Sequence, residues 1–424
     1  MNIIDTEICV IGLGYVGLPL AVEFSKKHKT IGFDIKVQRI NELRAGHDAT
    51  LEVSEEELKA ANNLQFSSEE SQIYSANVYI VTVPTPIDQH RQPDLTPLIK
   101  ASELLGRVIN KGDVVIYEST VYPGATEEEC IPIIEKISGL EFNVDFYAGY
   151  SPERINPGDK SRPVNKIQKV TSGSTPEAAE FVDQLYRKII TAGTFKAASI
   201  KVAEASKIIE NTQRDVNIAL INELAMIFSH MGIDTADVIE AAATKWNFIK
   251  LQPGLVGGHC IGVDPYYLVQ KSISVGHIPD MIRTAREIND GMARFVVGKL
   301  VKSMINNDQV IKRSRALVLG VTFKENCPDI RNTKVVDLIL EMNSYGIDVD
   351  IYDPWVNQSD IESEHGMDVI PSPQLGSYDA IIIAVAHNEF KLMGEKIRGF
   401  GRDICTIFDM KNVLGNIQMG QVRL

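Results

Sequence analysis

The sequence predicts an α/β protein of two Rossmann-like, doubly wound domains joined by a long central helix with a small helical middle domain. Three observations predict it. A short apolar strand over 7–11 runs into Gly12-Leu13-Gly14-Tyr15-Val16-Gly17, a helical pattern follows, and a second strand ends on Asp34. From Ala198 to His230 the pattern is helical and contains no glycine or proline. After a polar stretch around 306–315, strand and helix patterns alternate again. At 424 residues the chain is too long for one core. The implied domains are 1–197, 198–305 and 306–424.

The first of these patterns is a dinucleotide fingerprint in its required context. Gly12 makes the turn, Gly14 lets the backbone approach a pyrophosphate, and Gly17 lets the helix sit on the sheet. The helix N-terminus faces the anion. Asp34 stands ~20 residues on, where an acid accepts hydrogen bonds from a ribose diol and repels a 2′-phosphate. NAD is therefore expected over NADP. Further strands over 77–83, 113–118 and 146–149 end in Pro84-Thr85-Pro86, Ser119-Thr120 and Ser151-Pro152-Glu153-Arg154. In open parallel sheets ligands bind outside the carboxyl ends of the strands, so Thr85, Thr120 and Glu153 mark one rim.

Lys207 and Asn211 lie four apart on the central helix and share a face, with Glu204 and Ala203 as neighbours. Further helices are expected over 235–243 and 281–302. Between them lies Gly257-Gly258-His259-Cys260-Ile261-Gly262-Val263-Asp264-Pro265-Tyr266-Tyr267. Small residues around one thiol suggest that something must come close to sulfur. The last domain is expected to have strands over 315–321, 349–353, 378–386 and 405–409 and a helix over 335–345. It lacks the triple-glycine turn, so a second NAD is not expected there. Its first loop carries Lys324 and Arg331, two cations able to hold a diphosphate.

A dehydrogenation alone needs no thiol. A thiol is needed if the aldehyde is oxidised again, because the aldehyde must add a nucleophile before it can lose a second hydride. Cys260 would form a thiohemiacetal and then a thioester, Lys207 and Asn211 would steady the oxyanion, and Asp264 or Glu153 would handle water.

The net charge of −13 argues against nucleic acid and anionic membrane as partners. The five cysteines are an odd number with wide spacing and no CxxC pair, as expected of reduced thiols and not of a metal site. Asp5 and Glu7 stand where a signal peptide carries cations, and no apolar run reaches the roughly 18 residues of a membrane span. A cytoplasmic protein is expected.

Along its whole length the chain resembles the UDP-glucose/UDP-N-acetylhexosamine 6-dehydrogenase family. The carriers, in order, are GLGYVGLP from Gly12, VPTP from Val83, EST with YPG from Glu118, SPER from Ser151, the Lys207–Asn211 pair, GGHCIGVDPYY from Gly257 and FKENCPDIR from Phe323. The resemblance implies four-electron oxidation at C6 of the sugar, Cys260 as nucleophile, Lys207 and Asn211 on the oxyanion, and Asp264, Glu153 and Thr120 on the water. Gly12, Gly14, Tyr15, Val16, Gly17, Asp34, Thr85, Thr120 and Arg331 would meet NAD. Glu153, Arg154, Lys207, Asn211, Gly257, Lys324 and Lys411 would meet the UDP-sugar. It also implies a homodimer built on the central helix and a role in surface polysaccharide synthesis. His259 and Val263 replace a serine and a lysine usual in UDP-glucose enzymes, and Pro157 stands where those enzymes often carry a second glutamate. The thiol loop and the 244–248 segment resemble the acetamido-sugar branch, and Pro157 leaves Glu153 as the better candidate to handle the water. UDP-GlcNAc and UDP-GalNAc stay open, as do UDP-glucose and a two-electron β-hydroxyacid dehydrogenase.

Overall fold

The computed structural model describes residues 6–88, 90–155, 162–258, 261–415 and 421–424. The chain divides into two compact units, 1–210 with 266–277, and 211–265 with 278–424. The division falls inside the central helix Ile200–Met231.

The first unit holds an eight-stranded sheet. Its strands are β1 (Glu7–Ile11), β2 (Lys29–Phe33), β3 (Leu64–Ser67), β4 (Val78–Val81), β5 (Val114–Tyr117), β6 (Tyr147–Tyr150), β7 (Lys169–Gly173) and β8 (Thr194–Lys196), in the order β3-β2-β1-β4-β5-β6-β7-β8. All neighbours are parallel except β6 and β7. β4 and β5 are buried throughout, as continuous apolar runs covered on both faces should be. One apolar layer centres on Leu98, Leu105 and Ile134 from the helices Thr96–Val108 and Ile131–Ser138. The other centres on Leu18, Phe24 and Phe181 from the helices Gly17–Ser25 and Pro176–Arg187. The strand order reverses between β1 and β4, which puts the Gly12–Gly17 turn and the Val83–Pro86 loop at the switch point.

The second unit holds β9 (Arg315–Leu319), β10 (Asp348–Tyr352), β11 (Tyr378–Ile383), β12 (Gly401–Asp409) and β13 (Gln421–Arg423), all parallel, in the order β10-β9-β11-β12-β13. Its switch point lies between β9 and β11, at the Phe323–Arg331 loop. The helix Asp280–Asn306 buries Met292, Val296, Leu300 and Met304 against Val318, Leu338 and Ile382.

Strand and helix ends shift by a few residues from the sequence expectation. The strands over 77–83, 315–321 and 378–386 each stop two or three residues sooner at the C-terminal end, where Thr82, Gly320 and Ala384 make a last bond to the neighbouring strand ends Ile11, Tyr352 and Leu319. Pro265 does not merely stop the chain. It is the second residue of a helix, Asp264–Ser274, where a missing N–H costs no hydrogen bond.

Candidate active site

The turn after β1 explains its own sequence. Gly12 has φ +95°, a left-handed conformation that suits glycine. A Cβ on Gly17 would stand 1.8 Å from the Gly12 carbonyl oxygen and 2.4 Å from Thr82 Oγ1, so the helix can sit on the turn only without one. A Cβ on Gly14 would meet nothing within 4 Å; Gly14 is exposed. Tyr15 and Val16, beside it, are half-buried. Asp34 is held by two backbone bonds, from Leu13 N–H to Oδ2 (2.9 Å) and from Lys36 N–H to Oδ1 (2.9 Å). Two further residues brace the turn, and sequence reasoning missed both. Arg39 Nε donates to the Leu13 carbonyl and its NH2 donates to buried Asp48. Thr82 Oγ1 donates to the Gly12 carbonyl (2.7 Å). An arginine five residues past Asp34 was the only available signal.

Along the rim, Thr85 and Thr120 are half-buried. Ser119 Oγ donates to the Val83 carbonyl (2.6 Å), which joins the loops carrying those two threonines. Glu153, 8% exposed, follows β6 and accepts a hydrogen bond from Ile155 N–H. Behind it lies a buried lysine, Lys169 on β7, with its Nζ 2.5 Å from Glu118 Oε2 and 3.6 Å from Glu153 Oε2. Tyr186 donates to Glu118. Desolvation pushes the Glu118 carboxyl up, and two flanking carboxylates keep Lys169 protonated. Arg154 is paired with Glu210 and donates to the Gln168 carbonyl (3.0 Å).

Lys207 is not a solvated surface lysine: it is 6% exposed, and no acceptor for its ammonium is found among the described residues. One turn earlier, fully buried Glu204 accepts hydrogen bonds from Gly124 N–H (2.5 Å) and Thr126 N–H (2.9 Å). Burial pushes its carboxyl up to about 7.

In the second unit, Asn211 Nδ2 donates to Asp264 Oδ2 at 2.5 Å, and both residues are buried. The predicted nucleophile Cys260 lies outside the described residues, as do His259 and Pro157. The flanks of the loop are described. A Cβ on Gly257 would stand 2.5 Å from the Asn332 carbonyl oxygen. Gly258 has φ +81°, and a Cβ there would meet the Phe323 ring at 2.8 Å. Upstream, buried Asn222 grips the Gly254 backbone through both its N–H and its carbonyl, and also bonds Asn289. Asn289 reaches Asp215 on the central helix, Asp215 pairs with Arg286, and Arg286 reaches Asp290. Lys334, beside Gly257, closes on Asp290 at 3.2 Å. This network holds the chain at Gly254, three residues before Gly257. Two polar residues, Asp215 and Asn222, about two turns apart on the central helix were its sequence signal.

At the second switch point Gly320 (φ +89°) repeats the role of Gly12, and Asp353 that of Asp34, accepting from Val321 and Thr322 N–H. The space that Gly14 leaves open is filled here by Thr322, whose hydroxyl bonds the Lys324 carbonyl and His387 Nε2. Buried His387 accepts from Asn326 N–H through Nδ1 and bonds Asp353 through Nε2, which fixes the Nε2–H tautomer. Lys324 is half-buried with Nζ 5.4 Å from the Phe323 ring centroid. Arg331 is aligned by a two-pronged pair with buried Asp329 (3.0 and 2.7 Å). Lys411 is exposed, and its Nζ lies 3.1 Å from where a Gly254 Cβ would stand.

Three family models match in series: the NAD-binding domain of the UDP-glucose/GDP-mannose dehydrogenase family over residues 6–190, its central domain over 201–291 and its UDP-binding domain over 317–416. The chain belongs to this family. It is a nucleotide sugar dehydrogenase whose cofactor is NAD and whose C-terminal sheet is of the UDP-binding type. It is 62% identical to UDP-N-acetyl-D-glucosamine 6-dehydrogenase of Pseudomonas aeruginosa over 411 residues, 97% of each chain. It is 56% identical to the protein of the same name from Salmonella typhi, again over 97% of each. Among solved structures, that of UDP-D-ManNAc dehydrogenase from Pyrococcus horikoshii superposes with a TM-score of 0.89 at 31% identity, covering 99% of this chain and 98% of that one. Among the described residues no helix is long and apolar enough to cross a membrane, and no cluster of side chains could hold a metal ion.

Proposed function

We propose that the protein oxidises a UDP-N-acetylhexosamine, UDP-GlcNAc in the first place, twice at C6 to the uronic acid. The observation that carries this reading is the 2.5 Å bond from Asn211 to Asp264. It ties the Lys207 helix to the first residue past the thiol loop. The high identity to two UDP-N-acetyl-D-glucosamine 6-dehydrogenases supports the sugar.

NAD fits the first turn: exposed Gly14 leaves room for phosphate at a helix N-terminus, and Asp34 presents an aligned carboxylate to a ribose. Gly12, Tyr15, Val16, Gly17, Thr85 and Thr120 would line it, with Arg331 near its pyrophosphate. When bound, NAD accepts the hydride from C6. Cys260 then adds as thiolate to the aldehyde carbon, and Lys207 and Asn211 stabilise the oxyanion. With Cys260 on that carbon and Lys207 and Asn211 on the oxyanion, the remaining C6 hydrogen would leave as hydride to a second cofactor molecule, and the carbon would stay on Cys260 as a thioester. Water adds to that carbon, giving its proton to Glu153 or Asp264. The C–S bond breaks, and the acid leaves while the thiolate is regenerated. Arg154, Gly257, Lys324 and Lys411 would hold the UDP-sugar.

The test counts cofactor. Two NADH per sugar are expected, with UDP-GlcNAc and UDP-GalNAc turned over faster than UDP-glucose. A yield of one NADH, or a preference for UDP-glucose, overturns the reading. Cys260→Ser is expected to abolish acid formation, whereas a two-electron enzyme would be nearly unaffected. A cytoplasmic homodimer supplying polysaccharide synthesis completes the proposal.

A further inference from the structure

Within the first unit, Glu153 belongs to a buried charge cluster whose other members are unused by the chemistry above. The cluster comprises Glu118 at the end of β5, Lys169 on β7, Glu153 after β6 and Tyr186 on the helix Pro176–Arg187. Lys169 is 2% exposed and Glu118 fully buried. Two carboxyl groups face one ammonium. Glu118 is saturated, with one oxygen on Lys169 Nζ at 2.5 Å and the other receiving the Tyr186 hydroxyl. Glu153 is not. Its Oε1 takes the Ile155 N–H, but its Oε2 is 3.6 Å from Nζ and has no hydrogen-bond partner among the described residues. That oxygen feels the ammonium charge while keeping its lone pairs free. The other charges nearby are already paired, Asp183 with Arg187 and Arg154 with Glu210.

We propose that Lys169 is a positioning residue: its buried ammonium, 3.6 Å from Oε2, aims the Glu153 carboxylate, and Glu118 with Tyr186 sets how much of that ammonium Glu153 meets. This rests on the reading of Glu153 as the acceptor of the hydrolytic water's proton. In that step water's O–H breaks, the proton goes to Glu153 Oε2, the oxygen bonds to the thioester carbon, and the sulfur leaves as thiolate. Loss of an ionised base slows hydrolysis without slowing either hydride transfer.

The test is rapid-mixing kinetics of NADH formation against pH. Lys169→Met is expected to give a burst of two NADH per site, then a steady phase about a hundredfold slower than wild type. Its acid limb should move to higher pH by about one unit or more. Lys169→Arg should recover much of the rate. Glu118→Gln frees the ammonium for Glu153 alone, so its acid limb should move the opposite way, by about one unit. A burst and steady phase that fall together, or limbs that move in the same direction, overturn the proposal. If Lys169→Met does not fold, Glu118→Gln and the charge-balanced Glu118→Gln/Lys169→Met pair decide it, the pair being expected near the wild-type limb. Infrared titration of Glu153, with Glu153→Gln as the reference, reads the same shifts in resting protein. It therefore separates failure of this inference from failure to find two NADH per sugar.

Discussion

Gly14 and Gly17 are identical in composition and opposite in reason. Gly17 has a carbonyl oxygen 1.8 Å from where its Cβ would be; Gly14 has nothing within 4 Å. Gly17→Ala should therefore cost about 1–3 kcal/mol or more in stability, read as a lowered urea midpoint. Gly14→Ala should keep the midpoint and weaken NAD binding about tenfold or more, read by titration of the cofactor. Glu204 makes a different prediction. Its carboxyl is raised from 4.5 to about 7, so between those values the folded chain binds more protons than the unfolded chain. The stability this group contributes is complete below pH 4.5 and lost as pH rises through 7, about 3 kcal/mol in all. Wild type should show that slope in its unfolding free energy, and Glu204→Gln should lack it. The same carboxylate grips the Gly124–Thr126 backbone of the loop that starts at Thr120. The sequence placed Glu204 on the Lys207 face but gave no hint of what it holds.

Among elements, the central helix acts through spacing. Asp215 and Asn222 follow Asn211 by one and about three turns, and each reaches the helix Asp280–Asn306 or the segment before Gly257. Asn222→Ala would leave the Gly254 N–H and carbonyl unpaired in a buried site, at about 2–3 kcal/mol. It should also let the thiol loop shift, lowering kcat about tenfold or more with little change in KM for NAD. A stability loss with unchanged kcat would show that the loop is held elsewhere. The Lys207–Asn211 pair was legible because four residues make one helical turn. The network that holds Gly254 was not, because its partners lie 32 to 74 residues apart in the chain.

For the whole molecule, exposed Leu220, Ile227, Met231 and Trp246 in the second unit are large apolar side chains on or near one helix, and Trp246 is 92% exposed. They suit the proposed homodimer, since scattered apolar residues are ordinary but a run of them on one element is less so. Light scattering should give twice the mass of one chain, and Leu220→Glu with Trp246→Glu should shift it towards the monomer. An unchanged mass would move the interface elsewhere.

By itself the sequence determined the two doubly wound sheets, the long helix between them and the NAD turn. Those depend on local periodicity and on glycines, whose constraints act over a few residues. It determined the family as well, because the motifs stand in order along the whole chain. Only the tertiary structure decided that Lys207 is buried, that Asn211 meets Asp264, that Thr322 closes the second turn, and that Lys169 sits between Glu118 and Glu153. Burial and charge pairing are properties of distance in space. Residues 118, 153 and 169 come together because β5, β6 and β7 are neighbours in the sheet, which no spacing along the chain reports.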